Sequence, residues 1–79
     1  MERKKAKLSE QTSDRLYEMI VDEHRYVPGS KLPNENELSG ELGVSRTTLR
    51  EAISFLAAQG VLEIRRGKGT FVAESLPAE

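Results

Sequence analysis

Residues 34–60 read NENELSGELGVSRTTLREAISFLAAQG, and this stretch predicts two helices joined by a very short turn. Asn34 is a favourable N-cap, and a glutamate three residues later completes a capping box. The helix that begins there ends at Gly43, since glycine readily takes the left-handed conformation that closes helices. A second N-cap, Ser45, begins a longer helix that runs to Gln59. The stretch therefore predicts a helix-turn-helix.

Another helix is predicted upstream, from Ser9 to the Pro28-Gly29 pair, which we expect to break it. Its apolar side chains recur at helical spacing, at Leu16, Met19 and Ile20. The loop that follows contains Leu32, which we expect to plug the core.

The pattern changes after the helix-turn-helix, where two short runs are rich in β-branched and apolar residues. These runs are residues 61–64 and 70–72, and they flank the segment RRGKG at 65–69. A glycine-containing segment between two such runs predicts an antiparallel β-hairpin. The fold class is therefore mainly α with a small hairpin, a winged helix-turn-helix of three helices and a two-stranded wing.

The chain of 79 residues is long enough for one domain, which we place at residues 9–73. Residues 1–8 are predicted to be a flexible basic tail, and residues 74–79 the start of a linker. With no cysteine there is no disulfide or cysteine-ligated zinc. The sequence contains no apolar run near the roughly 20 residues of a membrane span and no secretory signal, so we predict a cytoplasmic protein without membrane contact.

Charge is distributed unevenly, although the formal net charge is only −1. Residues 8–42 carry three basic and eight acidic groups, whereas residues 43–72 carry five basic and two acidic groups. A polyanion responds to the local field rather than to the total charge. The second segment is thus a candidate for nucleic-acid binding, with ordinary scatter of surface charge as the alternative.

The helix that begins at Arg46 has two different faces. Its apolar residues project to one side as a core stripe, which comprises Leu49, Ala52, Ile53 and Leu56. Thr47, Arg50 and Ser54 project to the opposite side, with Arg46 at the border, and Glu51 is the one acidic residue expected nearby. This face suits either DNA or a solvated surface with charge pairing along the helix.

The major groove of B-DNA admits one α-helix whose first residues contact base edges. Arg50 is placed to donate two hydrogen bonds to guanine O6 and N7, and Arg46 can contact a base or a phosphate. Thr47 suits a base edge or a thymine methyl group, whereas Thr48 and Ser45 suit a phosphate at the helix N-terminus. These five residues are the predicted contacts of the helix.

The hairpin turn supplies a second set of candidates, namely Arg66, Gly67 and Lys68. Cations at a glycine-containing turn suit a phosphate strand or the narrow minor groove, whose negative potential attracts Arg and Lys. A basic hairpin turn that follows a basic helix strengthens the prediction of double-stranded DNA binding.

These motifs together resemble the N-terminal domain of GntR-family bacterial transcription regulators. The resemblance covers about residues 9–73 and is carried by PGSKLPNE at 28–35, GVSRTTLREA at 43–52 and GKGTFV at 67–72. The Arg-Glu-Ala sequence at 50–52 is most similar to the FadR-type branch.

The resemblance implies a winged helix that binds palindromic operators as a homodimer, usually as a repressor released by a small metabolite. It also implies contacts to operator bases or backbone from Arg46, Thr47, Thr48 and Arg50, and entry of Gly67 into the minor groove. Asn36 stands where the family often has Arg, which leaves a contact from this position open. The effector-binding C-terminal domain of such regulators is missing, so we interpret the chain as an isolated DNA-binding domain that needs no cofactor.

Other functions have less support in the sequence. The main alternative is a protein–protein interaction module, since winged helices can dock onto partners through the same helix. An enzyme is not expected, because the single histidine, His24, has no candidate nucleophile or metal-ligand partner. GKGT at 67–70 lacks the upstream glycine and the following helix of a phosphate-binding P-loop. We therefore predict no catalytic, cofactor or metal site.

Overall fold

The hydrophobic core forms where three helices meet a two-stranded sheet in the computed structural model, which describes residues 7–76. The apolar residues predicted for the core stripe and for the core side of the first helix are all buried, and so is Leu32, the expected plug. Residues 1–6, most of the predicted basic tail, lie outside the described residues, as do residues 77–79 of the predicted linker.

The first helix, α1 (Leu8–Tyr17), begins one residue earlier than predicted and continues into a wide π-helical turn, Glu18–Asp22. The Glu23 N–H donates to the Glu18 carbonyl at 2.8 Å, which is the i→i+5 bond of such a turn. This turn brings both Met19 and Ile20 into the core.

The first helix ends before it reaches Pro28, so the prediction that the Pro28-Gly29 pair breaks it is wrong. The chain turns away at His24, which has a φ of 54°, the left-handed conformation that often follows a helix end. Arg25 then forms an ion pair with Glu41, and this contact holds the segment after the turn against the next helix. His24 therefore lies directly after the end of this first helical segment.

The helix-turn-helix consists of α2 (Glu35–Leu42) and α3 (Arg46–Ala58). Asn34 Oδ1 accepts from the Glu37 N–H at 2.8 Å, as predicted for the cap. Within residues 7–76 the Glu37 carboxylate accepts no return bond from the Asn34 N–H. Gly43 closes α2 with a φ of 71°, a left-handed conformation that a side chain at this position would strain. Ser45 then caps α3 directly, so the turn is as short as the sequence predicts.

The wing is an antiparallel pair of strands, β1 (Leu62–Arg65) and β2 (Gly69–Val72). Leu62 pairs with Val72 and Arg65 pairs with Gly69, which leaves residues 66–68 as the turn. The loop before α2 pairs with the other edge of β2, since the Leu32 N–H donates to the Thr70 carbonyl at 2.8 Å. This pairing ties the wing to the start of α2, and the predicted fold class of three helices and a two-stranded wing is confirmed.

Candidate nucleic-acid interface

The N-terminus of α3 is organised by the Ser45 side chain. Ser45 Oγ accepts from the Thr48 N–H at 3.0 Å and lies at the same distance from Thr48 Oγ1, to which its hydroxyl donates. The first turn of α3 contains no acidic residue, so the positive end of the helix dipole is not neutralised from within the helix. Both hydroxyls predicted to meet a phosphate thus lie at the exposed, positive end of α3.

The outer surface of α3 carries the polar side chains that its sequence predicts. We call this surface the α3 face and define it by Arg46, Thr47, Arg50 and Ser54, all of which are exposed. Leu49 is fully buried on the opposite side of the helix. The Thr47 hydroxyl makes no hydrogen bond with any of residues 7–76, so its donor and acceptor sites are open to a ligand.

Arg50 is held by a carboxylate of the neighbouring helix. Its Nε donates to Glu35 Oε2 and its Nη2 donates to Glu35 Oε1, both at 3.0 Å, in a two-pronged ion pair. The Arg50 side chain is nevertheless 61% exposed and that of Glu35 is 43% exposed. The hydrogen bond from Arg50, more than its charge alone, lowers the pKa of Glu35, and the same hydrogen bond raises the pKa of Arg50.

This ion pair corrects the expectation that Glu51 is the one acidic residue near the α3 face. Glu35 is also there, because the crossing of α2 over α3 brings the first turn of α2 beside the first turns of α3. The contact joins residues that are 15 positions apart in the sequence. Sequence reasoning missed it because it considered neighbours along α3 only.

Arg46 has a similar but weaker partner on α2. Its Nη1 donates to Asn36 Oδ1 at 3.2 Å, a hydrogen bond between a charged donor and a neutral acceptor. Asn36, the position at which the chain departs from the resembled family, is therefore exposed next to the α3 face. The structure brings Arg46, Arg50 and Asn36 to one surface.

The turn of the wing presents the other predicted cations. We call Arg66, Gly67 and Lys68 the wing tip, and all three are exposed. The Lys68 N–H donates to the Arg65 carbonyl at 2.9 Å, and Gly67 has a φ of 77°. A four-residue turn with positive φ at its third residue favours glycine there. Neither Arg66 nor Lys68 has a side-chain partner among residues 7–76.

Arg65 differs from its neighbour Arg66, although both belong to the basic segment. Its guanidinium carbon lies 4.4 Å from the centre of the Phe71 ring, and its Nη2 is 3.0 Å from Glu63 Oε1. Both partners of Arg65 belong to the wing, so these contacts stabilise the wing itself. Arg65 was not a predicted contact.

Lys31 is a cation near the wing that sequence reasoning did not select. It lies in the segment that pairs with β2, and its side chain extends over Gly69. An added Cβ at Gly69 would come within 2.6 Å of Lys31 Cε, and Gly69 has a φ of 128°. The flexible end of the Lys31 side chain can move aside for a Cβ, so it is the positive φ, which other residues rarely adopt, that accounts for the glycine here.

The α3 face and the wing border a common cleft. Arg50 and Ser54 line it from α3, Ile64 and Thr70 line it from the strands of the wing, and Glu35 closes it from α2. The outer residues of α3 and the strands of the wing therefore meet at this cleft, and Ile53 and Ile64 give it an apolar lining.

The described part of the chain, residues 7–76, contains no group of three or more side chains suited to hold a metal ion. Within the same residues, none of the helices combines the length and the apolar character needed to cross a membrane.

Comparison with known proteins identifies the family. The family model described as bacterial regulatory proteins, gntR family, matches residues 8–72. The fatty acid metabolism regulator protein of Edwardsiella ictaluri (strain 93-146) is 57% identical over 49 residues, which cover 62% of this chain and 20% of that protein. The chain spans about a quarter or less of the length of the curated relatives it matches.

Solved structures give the same result. The Streptococcus agalactiae GntR structure has 49% sequence identity and a TM-score of 0.76, covering 82% of this chain and 31% of that one. A crystal structure of the AraR DNA-binding domain in complex with the operator ORE1 has 39% identity and a TM-score of 0.78. It covers 87% of this chain and 83% of the matched chain.

The family and the structural neighbours are transcription regulators and not enzymes, as the sequence predicts. Relatives named as fatty acid metabolism regulators agree with the similarity to the FadR-type branch. The chain belongs to the gntR family of bacterial regulatory proteins and is a winged helix-turn-helix DNA-binding domain of that family.

Proposed function

We propose that this domain binds double-stranded operator DNA in a sequence-specific way, with the α3 face in the major groove and the wing tip at the adjacent minor groove. The observation that carries the proposal is that Arg50 of the α3 face shares a cleft with Ile64 and Thr70 of the wing strands. The basic side chains of the α3 face and of the wing tip are all exposed. A recognition helix that enters the major groove leaves a flanking wing next to the phosphate strand that separates the two grooves.

Arg50 reads a guanine in this proposal, because the exposed guanidinium can donate two hydrogen bonds to O6 and N7. Arg46 contacts a neighbouring base or phosphate, and Thr47 contacts a base edge. Ser45 and Thr48 hold a phosphate at the N-terminus of α3, where the helix dipole favours negative charge.

Arg66 and Lys68 supply attraction to phosphates or to the minor groove, and Gly67 lets the backbone of the turn approach the DNA closely. These contacts carry little sequence information and position the domain on the duplex. Binding requires no cofactor.

We further propose that the domain, residues 9–73, is part of a longer cytoplasmic regulator, with residues 74–79 leading into a C-terminal effector domain. The solved AraR domain is described as bound to an operator, which supports DNA as the ligand here. A homodimer on a palindromic operator and repression relieved by a small metabolite complete the proposal.

Selection from a random duplex pool tests sequence-specific binding with the 79-residue chain. We expect recovery of a half-site with a guanine at a fixed position, and two half-sites at a constant spacing if two copies bind. A pool that shows no enriched sequence contradicts specific recognition.

A salt titration separates DNA binding from the alternative of a protein-interaction module. Neutralised phosphates release counterions, so DNA affinity should fall steeply as salt rises. The absence of DNA binding at low salt favours the interaction module, whose docking surface is then the same α3 face.

A further inference from the structure

We infer that Glu35 is a positioning residue for base recognition: it holds Arg50 so that the outer edge of the guanidinium is presented to a guanine. The inference rests on the proposed function and assigns a role in specificity to a residue outside α3. It starts from the two-pronged contact, in which both Glu35 oxygens accept from Arg50.

The donors that remain free on Arg50 fit this role. A guanidinium has five N–H groups in a rigid plane. Glu35 engages the Nε–H and one Nη2–H, which form one side of the plane. One Nη2–H and the two Nη1–H groups remain, and a pair of them at the end of the side chain matches the two acceptors of guanine. Arg50 can therefore contact Glu35 and a guanine at the same time.

The position of the pair permits simultaneous contact as well. Arg50 is 61% exposed although it is held by Glu35, so the ion pair does not hide the guanidinium. Ser54 and Thr70 line the same cleft and contribute hydroxyl groups to it. An unpartnered arginine at this site would sample many rotamers, and ordering it on DNA would cost conformational entropy.

The carboxylate also changes which DNA groups Arg50 prefers. Arg50 and Glu35 together carry little net charge, so the attraction of the pair to a phosphate is weak, whereas hydrogen bonds to a base edge depend on direction. Glu35 should therefore lower affinity for DNA in general and raise the preference for one base. Few other roles produce these two opposite effects.

The test compares Glu35→Gln with Glu37→Gln in the 79-residue chain. Both substitutions remove one negative charge from the first turn of α2, but the Glu37 carboxylate has no contact with Arg50. Each variant is carried through selection from the same random duplex pool. Its affinity is then measured for the selected sequence and for a scrambled duplex, and a thermal melt of each variant shows whether the domain stays folded.

We expect Glu35→Gln to weaken the base preference at the Arg50 position by about three- to tenfold, out of the discrimination that a good bidentate contact provides. Its affinity for scrambled DNA should increase. Glu37→Gln should leave the base preference unchanged. An unchanged or stronger preference in Glu35→Gln overturns the inference, and so does a loss of preference at a different base pair, which indicates that Glu35 contacts a base itself.

Arg50→Ala in the same experiment separates failure of the inference from failure of the proposed function. If Arg50→Ala abolishes the preference at one base pair and Glu35→Gln does not reduce it, the positioning role is wrong and specific DNA binding by Arg50 stands. If Arg50→Ala leaves every base preference intact, base reading by Arg50 is wrong, and the role of Glu35 falls with it.

Discussion

The α3 face and the wing tip both present exposed cations, but they hold these cations differently. Arg46 and Arg50 each donate to an acceptor on α2, whereas Arg66 and Lys68 have no side-chain partner among residues 7–76. A held guanidinium favours directional contacts, and a free cation favours phosphates in any arrangement. Under the proposed function, this difference predicts that the two surfaces divide the work of recognition, with base specificity from α3 and general affinity from the wing.

Among the substitutions that test this difference, Arg50→Ala is expected to change DNA binding most. We expect a loss of about 1–3 kcal/mol in binding free energy for the selected sequence and relaxed preference at one base pair. The reason is the loss of a paired contact to guanine. Fluorescence anisotropy with the selected duplex and with single-base variants measures both effects. An equal loss on selected and scrambled DNA would assign Arg50 to general affinity and remove the distinction.

A substitution at the wing tip tests whether the shape of the turn matters as much as its charge. Gly67 has a φ of 77° and nothing within 4 Å of an added Cβ, so Gly67→Ala meets conformational strain and no clash. We expect a loss of about 1–2 kcal/mol in the free energy of unfolding, and weaker binding to selected and scrambled DNA alike. The thermal melt should shift down by about 4–8 °C for each kcal/mol.

Gly67→Asn is the matched control, because asparagine tolerates the left-handed conformation better than alanine. It should recover most of the lost stability and binding. If Gly67→Ala and Gly67→Asn behave alike, the conformation of the turn does not explain the glycine.

Lys68→Ala measures the contribution of one positive charge at the wing tip. Removing one phosphate contact should reduce the slope of log affinity against log salt by about one, and should weaken all duplexes to the same extent. Titrations at several salt concentrations give the slope. A selective loss on the selected sequence would mean that the wing reads bases, contrary to the division proposed here.

Local sequence signals were sufficient to predict most of the fold. Asn34 and Ser45 cap their helices through the N–H three residues later, and Gly43 closes α2 in the left-handed conformation. Each of these signals acts within one turn of helix, so tertiary packing does not override it. The end of the first helix was not predictable in this way. The wide turn at Glu18–Asp22 depends on how Met19 and Ile20 fit the core.

The contacts between elements at the candidate site were harder to predict. The pair of Glu35 and Arg50 depends on the crossing of α2 over α3, which no spacing along one helix reveals. A usable signal existed for Arg65. Glu63 pairs with Phe71, and Arg65 lies two residues further along β1. The side chains of Glu63 and Arg65 therefore project from the same face of the sheet as Phe71. Once the register of the hairpin is known, Arg65 is expected to pack on the ring.

The prediction with the smallest effect concerns the pKa of Glu35. It tests whether Arg50 stays paired with Glu35 in solution. Arg50 lowers the pKa of the Glu35 carboxyl, mainly through the hydrogen bond that it donates. Arg50→Ala should therefore raise this pKa toward its ordinary range, and Lys68→Ala, which removes an equal charge at the wing tip, should not. An NMR titration of the Glu35 side-chain carboxyl carbon measures the shift.

The lowered pKa of Glu35 determines how its ion pair with Arg50 contributes to the free energy of unfolding as the pH changes. A carboxyl group with a lower pKa in the folded state stabilises the fold above its unfolded-state pKa, and that stabilisation is lost as the pH falls through the folded-state pKa. Because both partners are largely exposed, the pair adds little to the free energy of unfolding, so the pKa is the more sensitive measurement. If the pKa of Glu35 is the same in the parent chain and in Arg50→Ala, then Arg50 is as free as Lys68, and the comparison between the two surfaces loses its basis.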